Sequence, residues 1–193
     1  MEIPGKKNIQ DILALTPLQE GILFHYLKER ASDHYVEQLV LTLEGIIPPG
    51  RFKKAWDHVV QVNDALRTIF RWEKLENPTQ VVLKHHQPDL AFFDLSTLKD
   101  DAEKQDRLEQ IKREDRQKKF DLRQVPFRVL LCKVSDRDYR MVISNHHILY
   151  DGWSTGIILK EFFQAYALLD QGEAAPATPV KPPFSEFIRW HRN

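Results

Sequence analysis

The segment His146-His147-Ile148-Leu149-Tyr150-Asp151-Gly152-Trp153-Ser154 places two imidazoles, a carboxylate and a glycine side by side. An imidazole titrates near neutrality, so it can accept a proton or hold an attacking nucleophile in place. Asp151 can orient a neighbouring group or balance a buried cation, and Gly152 leaves room for close backbone approach. The segment falls where a strand-like run, Tyr139 to Ser144, gives way to an apolar helical stretch starting at Trp153; such a junction exposes side chains beside a helix N-terminus. If the strand continues through the pair, alternation puts His147 with Met141 and Ile143, and His146 with Val142 and Ser144. The two rings then point apart, which disfavours a shared metal ion, and no Cys or Glu nearby has a usual zinc-ligand spacing. The residues alone are equally compatible with two histidines satisfied by backbone groups beside a plain Asp-Gly turn.

Other reactive side chains read more simply. His85-His86 precedes Gln87-Pro88 in a polar loop and is taken as ordinary loop sequence. The lone Cys132 lies in the apolar run Phe127-Arg-Val-Leu-Leu-Cys and is read as a small buried thiol rather than a nucleophile.

The flanking chain predicts the elements that hold the segment. Thr16-Pro17-Leu18-Gln19 is a capping box with proline at the first helical position, and Leu18, Ile22 and Tyr26 continue as an apolar stripe. Tyr35 to Leu43 alternates and is rich in Val and Leu, which predicts a strand; Gly45 to Gly50 turns the chain through Pro48-Pro49. Phe52, Trp56, Val59 and Val60 mark a helix over about Arg51 to Val62, followed by strand-like runs at Arg67 to Trp72 and Thr79 to Lys84. Lys99 to Lys119 carries both signs of charge with few apolar residues and predicts a solvated helix. Val125 to Val134 and Tyr139 to Ser144 read as a hairpin feeding the His-His segment. Trp153 to Leu169 is apolar almost all round, predicting a helix buried on several sides that stops near Gly172. Gly172 to Pro183 reads as an extended linker, after which Phe184, Phe187, Ile188 and His191 recur at helical spacing. Helices and strands do not alternate strictly enough for a doubly wound sheet, so an α+β fold, an α/β sandwich with a mixed sheet flanked by helices, is expected.

A chain of 193 residues can bury one substantial core. Lys plus Arg (28) balance Asp plus Glu (28), which removes the basic surplus expected of a nucleic-acid or anionic-membrane binder. No apolar run reaches the ~18 residues needed to cross a bilayer, and Met1 to Asp11 is too polar for a signal peptide. A cytoplasmic location is expected, with no nucleic-acid or membrane partner.

Taken together, four segments resemble the ordered motifs of nonribosomal peptide synthetase condensation domains, within the chloramphenicol-acetyltransferase-like superfamily. His-His-x-x-x-Asp-Gly followed by Trp-Ser resembles the family signature. Leu15-Thr-Pro-Leu-Gln-Glu-Gly-Ile-Leu-Phe24 looks like its first core motif, Ala65-Leu-Arg-Thr-Ile-Phe70 like its second, and Phe184-Ser-Glu-Phe-Ile-Arg-Trp190 like the segment closing the first lobe. Before the second motif the family often has Arg-His where this chain has Val62-Asn63-Asp64, so no role is carried to that pair.

The resemblance implies an N-terminal lobe over residues 15–171, with residues 1–14 as a linker or docking segment and residues 172–193 leading to a C-terminal lobe beyond this sequence. It also implies amide-bond formation between a donor thioester and the amine of an acceptor aminoacyl thioester. Both substrates would ride on 4'-phosphopantetheine arms of peptidyl carrier proteins, with no cofactor bound by the lobe itself. An adjacent adenylation domain and an upstream synthetase, engaged through the N-terminal segment, are the further partners implied. Residue by residue, His147 matches the catalytic histidine, His146 its structurally placed neighbour, Asp151 a largely structural carboxylate, and Gly152 a position near the reacting thioester. Arg67 and Trp153 are expected to support the site, Arg67 as a candidate ion-pair partner of Asp151. The first motif also looks like that of domains accepting a donor whose last residue has D configuration. An epimerisation domain shares the signature and fold, although Gln19-Glu20-Gly21 argues against it. A purely binding role for the isolated lobe is the other alternative.

Overall fold

Thr16 caps the first helix as its sequence predicts. Its hydroxyl accepts from the Gln19 N–H while the Gln19 side chain accepts from the Thr16 N–H, and helix α1 runs Pro17–Lys28. The computed structural model describes residues 6–29, 33–176 and 181–192. Strand β1 is Ile9–Ala14, β2 Val36–Glu44, β3 Thr68–Arg71, β4 Thr79–Leu83, β5 Asp89–Asp94, β6 Phe127–Lys133 and β7 Asp138–His146. Helices α2 (Pro49–Val62), α3 (Asp101–Gln117), α4 (Gly152–Asp170) and α5 (Phe184–Arg192) complete the set, with short 3-10 turns at Lys6–Asn8 and Asp64–Arg67.

Two sheets form. A three-stranded antiparallel sheet has the order β1-β4-β3, and a four-stranded mixed sheet has the order β2-β7-β6-β5, in which only β5 and β6 run parallel. The parallel pair needs a crossover, and α3 supplies it on one face of the larger sheet. Side-chain alternation sorts the two faces. Phe127, Val129 and Leu131 of β6 and Met141 and Ile143 of β7 join the main core with α1, α2 and α4, while Leu130, Cys132 and Val142 face Leu108 and Ile111 of α3. The α+β sandwich with a mixed sheet flanked by helices is therefore the fold observed.

Several expectations are corrected. Residues 9–14, read as part of a linker, form β1 and pair with β4, because Ile9 and Ile12 to Ala14 find a ladder that a single segment does not advertise. Strand β5 is not predicted by the sequence patterning; it is a short run bracketed by aspartates, and its pairing comes from β6 far along the chain. Helix α4 is not buried on several sides: Ile158, Phe162 and Ala165 face the core, whereas Trp153 is 88% and Ile157 56% exposed. In α3 the charges are not all solvated. Asp115 is buried, and its carboxylate accepts from Arg128 Nε at 2.5 Å and Gln38 Nε2 at 2.8 Å, and from the Ser144 hydroxyl. The Arg128 guanidinium also lies 4.0 Å from the Phe120 ring centroid, so this charged pair is enclosed on the α3 face of the sheet, directly behind the end of β7.

Candidate active site

Strand β7 lies between β2 and β6 and ends at His146. The ladder stops there: His146 N–H donates to Pro126 O at 3.0 Å, and Leu149 N–H turns back to His146 O at 3.1 Å. His147 therefore lies just past the strand, yet its N–H still donates to Tyr35 O at 2.7 Å, so the turn just before β2 fixes its backbone. Tyr35 has φ 67°, a left-handed conformation that a non-glycine residue adopts only under local constraint.

The two histidines occupy opposite environments. His146 is buried, with ring centroids 5.9 Å from Tyr26 and 6.1 Å from Tyr35, beside a cavity of about 120 Å³ also lined by Trp72 and Phe120. Its Nδ1 accepts from Ile148 N–H at 3.3 Å, and burial, followed by the neighbouring His147, lowers its pKa to about 4. His146 is thus a neutral acceptor that shapes the turn. Alternation assigned it to the face of Val142 and Ser144, but with the ladder ending at this residue its ring instead meets Tyr26 of α1. The His147 ring is about one-third exposed, and Nδ1 is its shielded atom, lying 3.2 Å from Glu37 Oε1 without hydrogen-bond alignment. The accessible edge of the ring is consequently the one away from Nδ1. His146 is buried while the His147 ring is about one-third exposed, and no group of three metal-ligating side chains occurs among the described residues.

The loop after the histidines is pinned from below by a pair of amides: Gln19, read from sequence only as part of the capping box and first core motif, and Gln80, which the sequence does not single out. Gln19 and Gln80 are buried and donate to each other's side-chain oxygens at 3.2 and 3.0 Å. Gln19 Nε2 also donates to Ile148 O at 3.2 Å, and Gln80 Nε2 to Ala14 O at 2.9 Å. The first core motif therefore touches the His-His segment through Gln19, whose capping-box role masked this second one. Gln80 carried a faint signal as a polar residue inside the run Thr79-Gln-Val-Val-Leu. Ile148, Leu149 and Tyr150 bury their side chains in the main core, which makes the loop part of the packed structure.

Asp151 is the N-cap of α4, its carboxylate accepting from the Ser154 N–H at 3.1 Å and hydroxyl at 3.0 Å, and these bonds hold its pKa below the usual carboxylate range. The expected Arg67–Asp151 ion pair is absent. Arg67 instead donates from Nη2 to Asp64 at 2.7 Å and from Nε to Val60 O at 3.0 Å, and also reaches Leu83 O and Gln10. It ties the turn before β3 to β4, because those carbonyls lie within its reach whereas Asp151 is exposed at the start of α4. Gly152 is the first residue of α4, and a Cβ there would meet no atom within 4 Å, so among the described residues nothing requires glycine at this position. Trp153 is largely solvent-exposed and, among the described residues, packs against no core residue that would make it a support for the motif. His85 and His86 remain outside the site; His86 is partly buried, and desolvation lowers its pKa.

With this geometry in view, comparison with known proteins is decisive. The family described as Condensation domain matches residues 9–193. This chain belongs to the condensation domain family. It is 40% identical over 191 residues to tyrocidine synthase 2 of Brevibacillus parabrevis and 36% identical over 193 residues to bacitracin synthase 3 of Bacillus licheniformis. Each match covers 98% of this chain but only 5% and 3% of those relatives, so the chain spans a small part of much longer proteins. Among solved structures, the starter condensation domain of rhizomide synthetase RzmA is similar at TM-score 0.83 and 23% identity, covering 95% of this chain and 45% of that one. The first condensation domain of the CDA synthetase gives TM-score 0.83 at 17% identity, covering 96% and 46%. The condensation-domain fold is thus shared over slightly less than half of those structures, and the His-His-x-x-x-Asp-Gly segment of this chain runs from the end of β7 to the start of α4. No helix among the described residues is long and apolar enough to cross a membrane.

Proposed function

We propose that this condensation-domain chain is the histidine-bearing N-terminal lobe of an amide-forming site in nonribosomal peptide synthesis. A companion lobe, reached through residues 172–193, would close the site. The observation that carries the reading is the accessible His147 ring, backbone-anchored at the end of a central strand within His-His-x-x-x-Asp-Gly, in a member of this family.

In the proposed reaction the amine of an aminoacyl thioester attacks the carbonyl carbon of a donor acyl or peptidyl thioester. The C–N bond forms and the C–S bond breaks; the donor's pantetheine sulfur leaves as a thiol, taking up the proton released by the amine. Both thioesters are presented on 4'-phosphopantetheine arms of carrier proteins, which act as substrates, with an adjacent adenylation domain loading the acceptor. His147 is the group that takes or steers the amine proton, a role worth ~10²–10⁴-fold for proton transfer, while alignment of the reactants supplies a comparable or larger factor. His146 stays neutral and holds the turn. Asp151 starts α4, and Gly152 leaves open space beside the motif into which a thioester could pass.

The test is dipeptide formation from two loaded carrier proteins by the full-length protein containing this chain, beside a His147→Ala variant. Product that falls at least ~10²-fold in the variant supports the reading. Undiminished product would refute it, and exchange of the α-proton without amide formation would assign an epimerisation domain instead.

A further inference from the structure

The turn leading into β2 and the strand itself each contact His147. Tyr35 O accepts its backbone N–H at 2.7 Å, and two residues along, Glu37 brings a carboxylate oxygen 3.2 Å from its Nδ1. The register explains the second contact. Glu37 lies opposite Asn145, so its side chain leaves the sheet on the face of Asn145, and His147 is the next residue to follow that face. Glu37 is one of two polar residues at the start of β2; Gln38, on the other face, is taken up by Asp115 and Lys112 O. Among the described residues, His147 is the ion-pair partner shown for Glu37.

Two polar atoms at this point are shielded from solvent without a hydrogen-bond partner: Nδ1 of His147 and Nδ2 of Asn145. Buried polar atoms left this way are uncommon, and the one on His147 lies 3.2 Å from a carboxylate that a small side-chain rotation would bring into hydrogen-bond alignment. Catalytic hydrogen bonds are often long or misaligned before substrate binds, and tighten in the reacting complex. Among the described residues, the ionisable groups that act on His147 are Glu37 from β2, His146 from β7 and Asp151 at the start of α4, while Tyr150 of the intervening loop is in the field of Glu37. Of these, Glu37 is the carboxylate in contact with Nδ1.

We propose that Glu37 is a positioning residue for His147, accepting from Nδ1–H so that Nε2 keeps its lone pair toward the reacting amine. A carboxylate at one nitrogen fixes the tautomer and the ring orientation and stabilises the cation formed when the other nitrogen takes a proton. The inference rests on the amide-forming role of His147, and it adds the group that sets which nitrogen does the work.

The test is a double-mutant cycle in the full-length protein, measuring amide formation under single-turnover and steady-state conditions. Glu37→Gln keeps shape and removes charge; Glu37→Asp restores the carboxylate; Glu44→Gln, at the far end of the same strand, is the control. The expected result is a drop of about 10-fold in kcat with KM unchanged for Glu37→Gln, partial recovery in Glu37→Asp and an unchanged melting temperature. In a His147→Ala background, Glu37→Gln should have no further effect. Wild-type kcat in Glu37→Gln, with His147→Ala inactive, overturns the positioning role and leaves the function of the site intact. An undiminished Glu37→Gln effect in the His147→Ala background also overturns it, since Glu37 would then act on substrate directly. Full activity of His147→Ala removes both the amide-forming role and this inference.

Discussion

Gln19 and Gln80 exchange side-chain amide hydrogen bonds in both directions, and Gln19 passes a further one to the carbonyl of Ile148. Helix α1, strand β4 and the loop after the histidines are thereby joined through a single buried amide pair. The arrangement gives the first core motif a mechanical task, since the turn that carries His147 rests on it.

Gln80→Leu should therefore destabilise the chain by about 1–3 kcal/mol, because Gln19 loses its partner while staying buried. For a chain of this size that is a fall of a few degrees in melting temperature, read by calorimetry or circular dichroism. An unchanged transition would show that water replaces the lost amide at no cost.

The enclosed Asp115–Arg128 pair sets the second expectation. Both side chains are 4% exposed, so solvent does not screen them. Asp115→Ala should cost about 3–5 kcal/mol by leaving a guanidinium buried without its counter-charge. Pairing Asp115→Leu with Arg128→Met should recover most of that loss. Urea titrations of the three proteins measure it, and additive losses in the double variant would contradict the account.

His146 makes stability depend on pH. Its folded-state pKa is about 4 against an unbound value of 6.5, so between those limits the unfolded chain binds more protons than the folded one. The contribution is complete above about pH 6.5 and is lost as pH falls toward 4, by up to about 3 kcal/mol. His146→Gln should flatten the stability profile in that window, measured by urea midpoints at successive pH values. A slope that persists in this variant would place the titrating group elsewhere.

Cys132 should resist alkylation. It is fully buried, and desolvation pushes its thiol up to about 11, so at pH 8 hardly any nucleophilic thiolate exists. Iodoacetamide should label it only when denaturant is added; rapid labelling of the native chain, followed by mass spectrometry, would disprove the packing.

Much of this was legible in advance where local sequence decides the outcome. The Thr16 cap, the α2 stripe of Phe52, Trp56, Val59 and Val60, and the hairpin of β6 and β7 follow from periodicity and turn chemistry. The His-His-x-x-x-Asp-Gly segment was found, and its rings were expected to diverge. What escaped depends on partners distant in sequence. Strand β5 exists because β6 receives it, and β1 because β4 does. Arg67 was given the wrong partner because sequence shows that a buried guanidinium needs acceptors without showing that backbone carbonyls of residues 60 and 83 supply them. Glu37 looked like any solvent-facing residue of an alternating strand, and only the register beside Asn145 brings it to His147.

The central place of β7 in its sheet has one more consequence. Paired along its length with β2 on one side and β6 on the other, it cannot shift without breaking two ladders at once. Its amides should thus be among the last in the chain to exchange with deuterium. The histidines sit on an anvil, and any movement at the site has to come from elements outside this strand.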